Sequence, residues 1–331
     1  MLVAAFLSIL SSAVGTMAIL LPLIISVAHD LHMSRSRLIY PLAAVANIST
    51  ACTFLGQGAS NMMWNDVMMR IGGKIPFTIW DFTIARMPAI LLAIVYGIFI
   101  APKLLPDIPD SAFDDTMNYG AGKEKEDANP KQKLAAVISL LTIAAMLVLD
   151  YFKIVPMYLS ACIGAALLIA TGVLSEKEAL GSIHGPTMFL FIGMLPLSDA
   201  LKITGAADVV ASQIQLLLGN TTNPYLIMAV FFIIPLIVTQ VMSNIAAIAV
   251  FIPLISSVAV SIGVDPRAAV MGTMVASGTS ILTPMSCACQ AMIMAPGGYT
   301  LKDYLKCGTP LALLITVVSI ILLPILYPFY N

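Results

Sequence analysis

Charge is scarce in this chain. Asp, Glu, Lys and Arg make up 10% of its 331 residues, and the formal net charge is −1. No basic stripe exists to meet phosphates, so nucleic acid is not an expected partner. Histidine is scarcer still: His29, His32 and His184 all fall at predicted segment ends, without a His-Glu-x-x-His or Gly-x-Ser-x-Gly pattern. A membrane-embedded zinc protease or serine hydrolase therefore has no visible catalytic group, and no enzyme is expected. The cysteines form no disulfide framework either. Cys52, Cys162, Cys287, Cys289 and Cys307 mostly lie in apolar segments, where a thiol acts as a small hydrophobic filler. The Cys287-x-Cys289 pair has no His or third Cys nearby in sequence, so a structural role is expected for it and metal binding is not.

Apolar residues fill the composition instead. The chain is 60% hydrophobic with a mean hydropathy of +0.98, well outside the soluble globular range. A spanning helix needs about 20 mostly apolar residues, and candidate spans lie at 78–101, 134–150, 154–173, 186–201 and 309–329. Four further apolar stretches, at 1–28, 38–63, 224–261 and 268–294, are interrupted by polar, Gly or Pro residues. Met1 opens directly into an apolar run without a basic n-region, so no signal peptide is expected.

An internal repeat organises these stretches. A shift of 231 positions lays residues 12–28 on 243–259, with Ser12/Ser243, Ala18/Ala249, Pro22/Pro253, Leu23/Leu254, Ile24/Ile255, Ser26/Ser257, Val27/Val258 and Ala28/Ala259 identical. The register continues to Ser49/Ser280 and, after a slip to 222, pairs FTIWDF (77–82) with YTLKDY (299–304) and Pro88 with Pro310. Each copy runs through an apolar arm, a small polar tip, a second arm with proline, a short charged link and a stretch broken by Gly, Ser, Thr and Asn. The broken stretches are NISTACTFLGQGASN (47–61) and ASGTSILTPMSCACQ (276–290). Unwound backbone at membrane depth is tolerated only around a cavity or within protein. Paired interruptions in two halves point to a transporter's midplane site.

These features predict an all-α polytopic membrane protein with inverted repeats, two re-entrant hairpins and two broken transmembrane helices. The inversion follows from parity, since five predicted crossings separate the two hairpins. Residues 1–103 form an incomplete first repeat, 104–132 a cytoplasmic linker and 133–331 the second repeat. Placing the linker inside puts ten of the sixteen Lys and Arg in the cytoplasm. Ala206 to Asn220 reads as an amphipathic helix at the outer interface. Roughly 100 residues of the expected first repeat are missing on this alignment, because only eleven residues precede Ser12 whereas a full arm and three spans precede Ser243.

SNIAAIAVFIP (243–253) with Thr283-Pro284, and SAVGTMAILLP (12–22) with its following ACTFLG and Asn61, resemble the two repeats of the divalent anion/sodium symporter family, part of a wider ion-transporter superfamily. The resemblance implies that the tips and broken helices hold a carboxylate or sulfate together with sodium. Carried over by position, it implies substrate contacts at Ser12, Asn61, Ser243, Asn244, Thr283, Pro284 and Gln290; Thr16, one helical turn after the first tip, either replaces a lost hydroxyl toward the substrate or bonds back to its own helix. For sodium it implies Ser12, Ala13, Thr53, Gly56, Ser243, Asn244, Gly278 and Thr279. The family's Ser-Asn-Thr tip is Ser243-Asn244-Ile245 in the second copy and Ser12-Ala13-Val14 in the first, so only the serine survives in both. Loss of one asparagine and both threonines leaves the identity of the anion open.

None of the seventeen Asp and Glu residues lies at a tip or in a broken stretch, so a cation there must be held by carbonyls, hydroxyls and amides, which suits sodium. Helix N-termini would meet the anion. Arg86 sits in a span and could add a full positive charge for the anion, but near the span end it is expected to snorkel to the interface; Asp199, the nearest candidate for a proton relay, reads as a span-end residue. The expectation is a multi-pass cell-membrane carrier importing a di- or tricarboxylate or sulfate with sodium as the coupling ion and no cofactor. Its partners are the small anion and the lipid bilayer; a homodimer is compatible with this reading. The alternatives are a membrane subunit of a multi-component carrier and a truncated, non-transporting remnant.

Overall fold

The computed structural model describes residues 1–30, 33–50, 52, 54–108, 130–151, 157–181 and 223–330, with a few single positions between 192 and 213. No strand occurs among them. The helices are α1 (Leu2–Leu10), α2 (Ala13–Asp30), α3 (Ser36–Ser49), α4 (Phe54–Ile71), α5 (Ile79–Phe99), α6 (Ala101–Leu104), α7 (Pro130–Tyr151), α8 (Met157–Ala170), α9 (Glu176–Gly181), α10 (Pro224–Val238), α11 (Asn244–Ser261), α12 (Pro266–Gly278), α13 (Ala288–Gly297) and α14 (Leu301–Leu326). One compact unit comprises Met1–Tyr119 and Phe191–Asn331, and another Gly120–Leu190. In the second unit α7 packs against α8. There Ser175 and Glu178 close a capping box at α9, with the Ser175 amide donating to Glu178 Oε2 at 2.9 Å and the Glu178 amide to Ser175 Oγ at 3.3 Å.

In the first unit, Trp80–Phe99, Asn244–Ser261 and Leu301–Leu326 are long and apolar enough to cross a membrane. Ala13–His29, Pro224–Val238 and, in the other unit, Leu159–Ala170 and Val137–Met146 are shorter apolar helices. Leu91, Val95 and Ile98 on α5, and Leu313, Val317 and Ile321 on α14, are exposed at helical spacing and present one apolar face each. The protein is thus an all-α polytopic membrane protein, as its composition requires.

The repeat is visible in the caps. Thr78 and Thr300 open α5 and α14 with equivalent boxes: the threonine amide donates to Asp81 Oδ2 at 2.6 Å in one and to Asp303 Oδ2 at 2.8 Å in the other. Each aspartate thus takes the threonine amide and each threonine hydroxyl takes the aspartate amide, two donors that a helix leaves unpaired, which accounts for the Thr and Asp matches of the second register. The core of each copy is one deeply buried helix, α3 in the first and α12 in the second. The helix after each core helix packs on the other copy: α4 on α11, and α13 on α2 and α3.

Tyrosines join the copies. Tyr40 Oη donates to the Ile281 carbonyl at 2.8 Å, Tyr299 Oη both donates to the Ser36 carbonyl and accepts from the Tyr40 amide, and Tyr96 Oη donates to the Cys307 carbonyl at 2.5 Å. The Tyr40, Tyr299 and Tyr304 rings meet edge to face with centroids 5.3–6.0 Å apart. Gly308 makes the first bond fit, since a Cβ there would stand 2.6 Å from Tyr40 Oη.

The first interruption is shorter than expected. Residues 47–61 read as irregular, yet the helix resumes at Phe54. Asn61, Trp64, Asn65 and Met68 share one buried face at i, i+3, i+4 and i+7, and Asn65 Oδ1 accepts from the Phe77 amide at 2.8 Å. Polar side chains with partners on an inward face can stay helical, which the run of small and amide residues does not reveal. Thr53, His32, His184, Asp199, most of 186–220 and most of the predicted linker lie outside the described residues.

Candidate anion and cation site

Both predicted tips are helix breaks. Between α1 and α2 stand Ser11 and Ser12, and Ser12 Oγ accepts from the Gly15 amide at 3.0 Å. Between α10 and α11, Ser243 Oγ accepts from the Ala246 amide at 3.3 Å. Each serine is thus the N-cap of the arm that follows it, a position that favours Ser strongly. A cap uses one acceptor site of the hydroxyl and leaves its proton free for another partner.

The second break, between α12 and α13, is held open by amides from both copies. The Asn47 amide nitrogen donates to Ser280 Oγ and to the Ser280 carbonyl, both at 2.9 Å. The orientation of Asn244 that satisfies its amide sends the nitrogen to Ser280 Oγ at 2.7 Å and to the Ser277 carbonyl at 3.1 Å. Gln240 Nε2 donates to the Thr279 carbonyl at 3.2 Å, and its Oε1 accepts from the Leu282 amide at 3.0 Å. Thr283 Oγ1 donates to the Gln240 carbonyl, and Ser286 Oγ to the Ser280 and Thr283 carbonyls. These bonds supply what hydrocarbon cannot, so the chain can unwind here at depth.

Tips and breaks meet at one cavity of about 190 Å³. Ser12, Ala13 and Val14 line it from the first tip, and Ser243, Asn244 and Ile245 from the second. Asn47 and Thr50 at the end of α3, Gly278 at the end of α12, and Ser286, Cys287 and Ala288 at the start of α13 complete most of the wall. The N-termini of α2, α11 and α13 therefore converge on the C-terminal ends of α3 and α12. First-turn amides and dipole ends there favour negative charge, and C-terminal carbonyls favour positive. No Asp or Glu is among the lining residues.

Of the residues expected at the site, Ser12, Ala13, Ser243, Asn244 and Gly278 line this cavity. Thr279 is buried beside it, its Oγ1 bonded back to the Val275 carbonyl at 2.8 Å. Thr283 and Pro284 belong to the break but not to the wall. Asn61 and Gly56 lie in α4, and Thr53 is outside the described residues. Thr16 Oγ1 and both amide atoms of Gln290 are buried, lack a partner and lie off the wall. Cys287 is on the wall with its Sγ 3.0 Å from Cys289 Sγ, and no group of three metal-ligating side chains occurs among the described residues.

Arg86 requires a correction. Expected to snorkel outward, it is 3% exposed and lines the cavity. Its Nη2 donates to the Met274 carbonyl at 2.7 Å, near the end of α12. The α5–α12 contact turns this face of the span inward and buries the side chain against α12. Asn47, Thr50, Gln240 and Ser286 were also missed, although Asn47 and Thr50 stand in a quoted broken stretch and Gln240 stands three residues before a tip.

Residues 1–276 match the family profile described as citrate transporter. Uncharacterized transporter YfbS of Escherichia coli is 25% identical over 209 residues, 62% of this chain and 34% of its own length. Uncharacterized transporter Mb2703 of Mycobacterium bovis is 26% identical over 269 residues, 80% of this chain and 59% of its own. Sodium/sulfate cotransporter 2 of Chlamydomonas reinhardtii is 21% identical over 199 residues, 58% of this chain and 22% of its own. The chain spans less than two thirds of the length of each of these three.

Proposed function

This chain belongs to the citrate transporter family of the ion transporter superfamily, and we propose that it imports a small di- or tricarboxylate or sulfate coupled to sodium. It is a multi-pass membrane protein of a transporter family, not an enzyme. The observation that carries the finer reading is the shared cavity: two capped tips and the second break line it, without a carboxylate. The anion sits against the first turns of α2, α11 and α13, where amides and serine hydroxyls donate. Sodium sits among hydroxyl, amide and carbonyl oxygens beside Asn244, the end of α12 at Gly278 and the unwound 279–287 segment, the ligand set that broken helices offer a cation. Each ion lowers the electrostatic cost of the other, so their binding is mutually favourable. Alternating exposure of the cavity to the two sides, by an elevator-like or rocking movement, completes transport. The name of the sodium/sulfate cotransporter relative accords with this reading.

The test is uptake of labelled citrate, succinate and sulfate into proteoliposomes containing this chain. Uptake of at least one should require an inward sodium gradient. Uptake indifferent to sodium, or supported equally by potassium, rejects the coupling.

A further inference from the structure

We propose that Arg86 is the fixed counter-charge of the transported anion, gripping one carboxylate or two sulfate oxygens from the wall of the cavity. The inference rests on the anion-carrier reading and adds a residue to it. A guanidinium has five donors and stays protonated in proteins. Among the described residues the only hydrogen bond it makes is the one from Nη2 to the Met274 carbonyl at 2.7 Å, and buried Nε has no partner there. No ion pair of Arg86 occurs among the described residues, and the cavity wall holds no acid to neutralise it.

A buried, unpaired charge is costly, most of all at membrane depth, where ionisable side chains are paired or face an aqueous pathway. The protein gives Arg86 one carbonyl at the negative end of α12, which offsets part of that cost and aims the remaining donors. Gly278 fits this arrangement: a Cβ there would come 2.6 Å from Arg86 Nη1. Glycine at the end of the core helix thus leaves room for the guanidinium at the wall. An oxyanion matches the vacant donors in shape and sign, because a guanidinium edge pairs two oxygens at once.

The experiment uses the purified full chain in detergent, titrated calorimetrically with sulfate, succinate and citrate at saturating sodium, and with sodium alone. Arg86→Gln should raise the Kd of the bound anion at least tenfold and leave sodium affinity within about twofold. Arg86→Lys, which keeps the charge but not the fork, should fall between Arg86→Gln and the parent. Wild-type anion affinity in Arg86→Gln overturns the assignment alone; absence of anion binding in the parent chain sinks the carrier reading and this one with it. A second measurement needs no variant: phenylglyoxal modification of Arg86, read by peptide mass, should be slowed by the anion and not by sodium alone. Equal rates with and without anion contradict the proposal.

Discussion

Ser12 and Ser243 each cap the helix behind them and line the cavity in front, where the proposed anion would meet the hydroxyl proton. The two roles separate under substitution. Ser243→Asp keeps a strong N-cap but sets a carboxylate on the wall, so thermal unfolding should stay near that of the parent while anion binding is lost. Retained anion binding would remove the first turn of α11 from the site. Asn244→Ala removes an amide that bridges the tip to Ser280 and Ser277, and a loss of about 1.4 kcal/mol, a tenfold weaker Kd, is expected for both ions. Unchanged affinity for either would place that ion elsewhere. Serine and proline at the same interval in two copies made the tips legible. Arg86 was not: a lone arginine in a span looks the same whether it faces lipid or a cavity, and only its packing against α12 decides. Asn47 was hidden for a related reason, because its partner Ser280 is 233 positions away.

At the scale of elements, helices that begin in the middle of the fold explain how so apolar a chain keeps polar atoms inside. The capped starts of α5 and α14 are structural, and Asp81→Ala or Asp303→Ala should each lower stability by about 1 kcal/mol without altering anion affinity; a change in affinity would show that these caps also shape the site. Gly308→Ala should destabilise the fold through Tyr40, whose hydroxyl a Cβ would crowd at 2.6 Å; an unchanged unfolding temperature would mean that the tyrosine joint is dispensable. The second break was readable from its Gly, Ser, Thr and Pro. The first was overread, since Asn61 and Asn65 lie on the buried face of α4 and its polar run is helical. Composition marks where a helix can end, while the partners of each amide determine whether it does.

Over the whole molecule, the repeat was legible because its matches are ordered and include residues that lipid disfavours. The exchange of helices between copies, α4 onto α11 and α13 onto α2 and α3, was not, since a repeat in sequence does not say which copy a helix will pack on. That exchange brings two distant tips to a single cavity. Cys287, native to the wall, reports on its occupancy: maleimide labelling should slow in the presence of sodium and anion together, and labelling blind to both would separate Cys287 from the occupied space. The most direct measurement of the shared site is the Kd of the transported anion at a series of sodium concentrations, with potassium holding ionic strength constant. One joint site requires the affinity to rise with sodium and, reciprocally, sodium affinity to rise with the anion by the same factor. Anion affinity that is flat across the sodium series would contradict it.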